Sequence, residues 1–186
     1  MTVGFAVCGS HCTFSQIFPA MEELAKHHKV IPIFSQAAAS TDTRFGSARE
    51  HLQQAEAICG CAPILTVAQA EPIGPKKLLD ALVIAPCTGN TLAKLAHSIA
   101  DSPVTMAAKS HLRNGRPILI GISTNDALAG AAENIGKLMG RRHYYFIPFG
   151  QDDPIQKPTS MVADFSKLLP ALEAALGGRQ LQPILL

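Results

Sequence analysis

The sequence predicts an α/β protein of a single domain, residues 1–186, built on a doubly wound, mainly parallel sheet and ending in a C-terminal tail, residues 177–186. Three observations lead there. Short apolar runs alternate along the chain with segments whose apolar residues recur at helical spacing, which is the pattern of βα units. No internal repeat, low-complexity linker or change of composition interrupts the alternation. With 186 residues, 47% hydrophobic and 16% charged, the chain has enough apolar material to bury a substantial core.

The elements follow in order. A first strand over about 2 to 8 enters the turn Gly9-Ser10-His11-Cys12-Thr13, and a helix to about Lys26 carries Phe14, Ile17, Phe18, Met21 and Leu24 on one face. A second strand runs Val30 to Ser35. The polar stretch Ser40 to Gly46, a helix from about Ser47 to Ile58 and a short extended segment near Ile64 to Val67 come next. The apolar run Ala81 to Ala85 is a further strand, broken at Pro86 into Cys87-Thr88-Gly89-Asn90-Thr91, with a helix after it. Asp101-Ser102-Pro103 starts another helix, proline standing in its first turn, and Gly115 stops it. Pro117 to Ser123 is a strand entering Ser123-Thr124-Asn125-Asp126, and a helix runs from there to about Met139. Tyr144 to Phe149 reads as a sixth strand, Gly150 to Lys157 as a loop, and Pro158 to Leu176 as a last helix stopped by Gly177-Gly178.

Composition excludes several classes of function. A formal net charge of +2 without a Lys/Arg run argues against nucleic acid. No apolar run approaches the roughly 20 residues needed to cross a bilayer. The segment Met1 to Cys8 lacks the basic region and long apolar core of a signal peptide, so a cytoplasmic location is expected. The five cysteines are odd in number, and Cys59-x-Cys61 lacks zinc-knuckle spacing, so reduced thiols and no metal site are expected. So low a charge fraction implies surface covered by other copies, hence a homo-oligomer, and the apolar tail from Gln180 to Leu186 is expected to pack on a neighbouring chain.

In such a sheet the loops Gly9 to His11, Cys87 to Asn90 and Ser123 to Asp126 share one edge, at the carboxyl ends of the strands, where ligands bind. Hydroxyls, amides and backbone N–H groups gathered there suit a phosphate or a polar ring edge, and equally suit ordinary helix starts. His11 suits proton transfer near neutral pH, or a backbone bond in a turn. Arg44 offers a bidentate receptor for a carboxylate, or a solvated loop charge. Lys109 and Arg113 lie four apart on a helix and read as solvent-facing or oligomer contacts before ligands. No Gly-x-Gly-x-x-Gly fingerprint is present, so no dinucleotide is expected on this chain.

The string Ile84 to Thr91 resembles the signature of the flavoprotein family that includes the flavin-containing cysteine decarboxylases, and Ile122 to Asn125 stands where that family has a second motif. Within it, Gly9 to Thr13, Thr43 to Gly46, Ala107 to Lys109, Gly121 to Ala127, Ile147 to Pro154, Lys157-Pro158, Ser160-Met161 and Gln180 to Ile184 are similar to the branch found in the dipicolinate synthases of spore-forming bacteria. The similarity spans nearly the whole chain. It implies a Rossmann-like flavoprotein fold, FMN, and a role in the mother-cell cytoplasm during sporulation. There the chain would form dipicolinate from a dihydro- or hydroxytetrahydro-dipicolinate precursor. The partner it implies is the synthase's other component, a dehydrogenase-like polypeptide carrying NAD(P), and the assembly it implies is trimer-based. By the family pattern Gly9, Ser10, Ser35, Thr88, Gly89 and Asn90, with Cys87 in the same turn, would contact flavin; in the enzyme reading of this chain Asn125, Arg44 and His11 orient a small dicarboxylate and shuttle its proton. Two departures stand out: Glu71-Pro72-Ile73 occupies the stretch of the decarboxylase histidine, and the methionine and tryptophan of the second motif are absent. Cysteine decarboxylation is therefore disfavoured. A non-catalytic scaffold that activates the dehydrogenase-like partner, or an independent FMN-dependent decarboxylase or prenyltransferase, remain as alternatives.

Overall fold

The computed structural model describes residues 1–186. Strand β1 (Thr2–Val7) lies between β2 (Lys29–Phe34) and β3 (Ala81–Cys87); β4 (Ile118–Thr124) follows β3, and β5 (Tyr144–Phe146) pairs with the start of β4, every pairing parallel. A hairpin of β6 (Phe149–Asp153) and β7 (Lys157–Ala163) adds antiparallel pairing, β7 joining the far end of β4 at Ser123 and Thr124. The sheet order is β2-β1-β3-β4-β7-β6. The sheet is thus mixed. Pairing is parallel among β1 to β5, and the antiparallel hairpin departs from the expected mainly parallel, doubly wound sheet.

Local sequence explains the helices around it. In α1 (Phe14–His27) the side chains of Phe14, Ile17, Phe18, Met21 and Leu24 form the buried face. Ser35 caps α2 (Gln36–Ser40), Ser47 and Glu50 make a capping box for α3 (Ala48–Cys59), and Thr66 with Gln69 does the same for α4 (Val67–Ala70). Thr88 caps α5 (Gly89–Ala96), and Ser102 caps α6 (Pro103–Leu112), whose proline opens the first turn. After α7 (Ala132–Met139) and the hairpin, a 3-10 turn at Phe165–Lys167 leads into α8 (Leu168–Leu176). Helix α1 packs against α3 and the 3-10 turn, which also meets α8, while α6 packs against α4 and α5, and α5 against α7. Strands β1 and β3 are buried on both faces, as a sheet between two helical layers requires.

Several boundaries differ from expectation. The last helix does not begin at Pro158: residues 157–163 are β7, because the ladders to β6 and to Ser123 and Thr124 satisfy its backbone. The apolar residues from Met161 to Leu172 fit a helical face as well as a strand followed by a shorter helix. For the same reason the expected loop from Gly150 to Lys157 is a hairpin. The sixth strand splits at Ile147-Pro148, where proline has no N–H for the ladder. The segment near Ile64 makes a single bridge to Ile33 before turning into α4. Strand β3 continues past Ala85 through a cis Ala85–Pro86 peptide to Cys87. The tail packs on its own chain: Leu185 bridges Phe149, and Gln180 donates to the Phe146 carbonyl at 2.7 Å and accepts from its N–H at 2.8 Å. All five thiols are free, and no helix is long and apolar enough to cross a membrane.

Candidate functional site

At the carboxyl ends of β1, β3 and β4 lies an open cavity of about 740 Å³. The loop after β1 brings Ser10 and His11 to it, the cap of α5 brings Thr88, and the end of β4 brings Ser123, Thr124 and Asn125. Ser10 and Ser123, far apart in sequence, hydrogen-bond through their hydroxyls at 2.7 Å, tying the first and third loops together. Arg44 reaches the same cavity from the 43–46 turn, its guanidinium 4.8 Å from the Phe45 ring centroid.

That turn is held from beneath. Thr43 and Gly46 exchange backbone hydrogen bonds, and buried His51 lies 3.3 Å through Nε2 from the Phe45 carbonyl. Gly46, at φ +128, is packed so closely that a Cβ would stand 2.7 Å from His51 Nε2. His11 lies near Phe14 and His51, its ring tilted against both with centroids 4.9 and 6.4 Å away. Burial, then repulsion from His51, lowers the His11 pKa against an opposing Gly9 backbone contact, so the ring is neutral at neutral pH. Its Nε2 is buried without a partner. The ring lines the cavity with that nitrogen shielded from solvent.

The remaining expected contacts divide. Gly9 and Thr88 line the cavity, whereas Cys87 is fully buried behind it. Burial and neighbouring Cys8 push the Cys87 thiol well above its ordinary range, so it is a protonated packing residue. Ser35 is occupied as a cap, accepting from the Ala38 N–H at 3.3 Å. Asn90 is exposed and outside the lining. Gly89 is filled from the other side: a Cβ there would stand 2.6 Å from Asp126 Oδ1 and 2.9 Å from Thr124 Oγ1. The Asp126 carboxylate, itself bonded to the Thr124 hydroxyl, thus already sits at the first turn of α5. Gly89→Ala should therefore destabilise the fold by about 1 to 3 kcal/mol through overpacking, where an unobstructed helical glycine would gain from alanine. A denaturant midpoint at or above that of the parent would contradict this contact.

The sequence reading missed the hairpin's share of the site. Lys157, Asp152 and Ser160 line the cavity, with Lys157 paired to Asp152 at 2.8 Å and kept charged by it. The signal was present in the polar run Gln151-Asp152-Asp153 and in Lys157, but a helix placed at Pro158 removed the hairpin that points them inward.

These features define a class: an α/β protein with a cation-bearing cavity at the carboxyl ends of its parallel strands. A flavoprotein family model matches residues 1–156. The B subunit of dipicolinate synthase from Bacillus subtilis (strain 168) is 49% identical over 184 residues, covering 98% of this chain and 92% of that protein. The crystal structure of the B subunit of dipicolinate synthase from Bacillus halodurans C superposes with a TM-score of 0.91 at 47% identity, covering 100% of this chain and 95% of that one. Burkholderia xenovorans DmrB in complex with FMN shares the fold at a TM-score of 0.68 and 18% identity, covering 95% of each chain. The chain belongs to the flavoprotein family, in the branch formed by the B subunits of dipicolinate synthases.

Proposed function

We propose that the chain is the flavoprotein-like subunit of a two-chain dipicolinate synthase, working with a nicotinamide-dependent, dehydrogenase-like partner in the mother-cell cytoplasm during sporulation. The observation that carries this reading is the joining of two cations, Arg44 and Lys157, with the hydroxyls of Ser10, Thr88, Ser123 and Ser160 in one cavity. A pyridine or dihydropyridine dicarboxylate presents two carboxylates and a polar ring, which such a lining matches. Aromatisation of a dihydro precursor removes a hydride equivalent, which passes to oxidised nicotinamide on the partner, and a proton.

FMN fits the cavity by size and chemistry. Gly9 lines the cavity and is packed closely on its Cβ side, where a Cβ would stand 3.3 Å from the Ala37 Cβ, so bare backbone is what it offers the cavity. Gly9, Ser10 and Ser123 would hold the phosphate, and Thr88 and Asn125 the polar ring edge. Bound FMN would supply a planar ring able to carry two electrons. Arg44 and Lys157 bind and orient carboxylates, Asn125 fixes the ring's position, and neutral His11 accepts a proton once its ring turns outward.

The scaffold reading is favoured by one observation: Asp126 occupies the anion position at α5. An independent decarboxylase is disfavoured by Glu71–Ile73, a 3-10 turn packed on α6 where the family histidine is expected. The low charge and exposed Leu128 and Met139 support a homo-oligomer, and the family resemblance supports a trimer-based one; the DmrB relative is described as a cubic protein cage. Sedimentation of the chain without its partner should show an assembly, and a stable dilute monomer would contradict it.

Reconstitution tests the function. The chain alone should form no dipicolinate, and adding the dehydrogenase-like partner with an oxidised nicotinamide should restore formation. Formation without the partner, or a partner whose rate is indifferent to this chain, would overturn the reading.

A further inference from the structure

A second cavity, of about 350 Å³, lies between the end of α5, helix α6 and the start of β5. Leu95, Ile99 and Leu112 form apolar walls, with Ile99 47% exposed. Lys109 and Arg113 stand at the rim, and no acidic side chain lines it. The nearest carboxylate in sequence, Asp101, is held by Lys94 at 2.9 Å. Arg141 is fixed in the wall, donating to the carbonyls of Leu95 at 3.0 Å and Ala96 at 2.6 Å, so its charge is retained while its geometry is set.

Tyr144 supplies a further polar group. It is 8% exposed and lines this cavity, and its hydroxyl has no hydrogen-bond partner in the chain. Its direction follows from the strand. The adjacent Tyr145 hydroxyl lies 3.9 Å from a Cβ built on Gly178, on the α8 side, so alternation turns Tyr144 to the face of α5 and α6. The Tyr144 hydroxyl is not among the sealed, unpartnered polar atoms of the chain, so it is free to donate to an acceptor entering the cavity.

We propose that this cavity is a binding site for a small carboxylate with an aromatic or aliphatic body. The carboxylate pairs with Lys109 and Arg113, the body covers Leu95, Ile99 and Leu112, and the Tyr144 hydroxyl donates to an acceptor on the ligand. This inference goes beyond the dipicolinate reading and does not depend on it.

2-Naphthoate and its neutral analogue 2-naphthamide, titrated into the full chain by calorimetry and amide NMR, test it. The carboxylate should bind at about millimolar concentration or better and shift resonances of Leu95 to Ala100 and Thr105 to Arg113. The amide should bind roughly ten-fold more weakly. Lys109→Ala with Arg113→Ala should lower naphthoate affinity by about ten-fold, and the conservative Tyr144→Phe by several-fold, while Lys76→Ala, a surface cation elsewhere, should leave it unchanged. Equal binding of acid and amide, indifference to these variants, shifts confined to Ser10 to Cys12 and Thr43 to Phe45, or no binding at millimolar concentration would each overturn the proposal.

Discussion

Replacing Arg44 by alanine in the assembled two-component synthase should raise the dicarboxylate concentration needed for half-maximal rate by about one to two decades, the loss of a charge-assisted contact of roughly 1.5 to 3 kcal/mol. Arg44 is exposed at the cavity, and its loop is held in place by the His51 contact to the Phe45 carbonyl, so little of its positioning is left to the ligand. Arg44→Lys should recover only part of the effect, because an ammonium cannot form the two-pronged contact. Lys157→Ala should act in the same direction with a smaller effect, since the Asp152 pair already engages that charge. Asn125→Ala should instead lower turnover more than apparent affinity if the amide orients the reacting ring. Steady-state kinetics on complexes checked by size make the comparison. Unchanged constants in Arg44→Ala and Asn125→Ala would place this chain among scaffolds.

Acid should destabilise the chain well before its carboxylates protonate. His111 on α6 is fully buried, its Nε2 3.1 Å from the Pro117 carbonyl and its Nδ1 unpartnered. Burial, aided by Arg116 and opposed by the Pro117 contact and Asp80, lowers its pKa from 6.5 to about 4. The sign follows from proton binding. Below 6.5 the unfolded chain takes up a proton that the folded chain refuses, so stability present at pH 7 is lost as pH falls toward 4. The gap corresponds to about 3 kcal/mol. His111→Gln keeps a donor for the Pro117 carbonyl and cannot titrate, so denaturant melts of this variant should show a flatter profile between pH 7 and 4. An equally steep loss in the variant would assign the acid lability to other groups.

The parallel part of the fold was legible because each strand is a continuous apolar run and each following helix carries its own start signal, as at Ser47, Thr88 and Ser102. The hairpin was not. Its strand β7 is set by pairing with β6 and with the far end of β4, partners that a local reading of Lys157 to Ala163 cannot see, and the following apolar residues fitted a helix. The site divided along the same line. Ser10, Thr88, Ser123 and Asn125 were legible as lining one cavity because topology alone gathers loops at one sheet edge, and Arg44 because its polar turn stood out. Lys157 and Asp152 were hidden with the hairpin. The burial of Cys87 and the filling of Gly89 by Asp126 depend on side-chain packing across loops, which no spacing in the chain encodes.

Titration of the flavin-free chain with FMN, followed by flavin fluorescence, tests most directly the proposed flavin site at the carboxyl ends of the sheet. Saturable quenching at one FMN per site is expected. Gly9→Val, which would crowd Ala37 and His11 and so displace the backbone beside Ser10, should abolish it while circular dichroism stays that of the parent. A folded parent that leaves FMN fluorescence untouched, or a folded Gly9→Val variant that binds as tightly as the parent, would contradict the placement of the site.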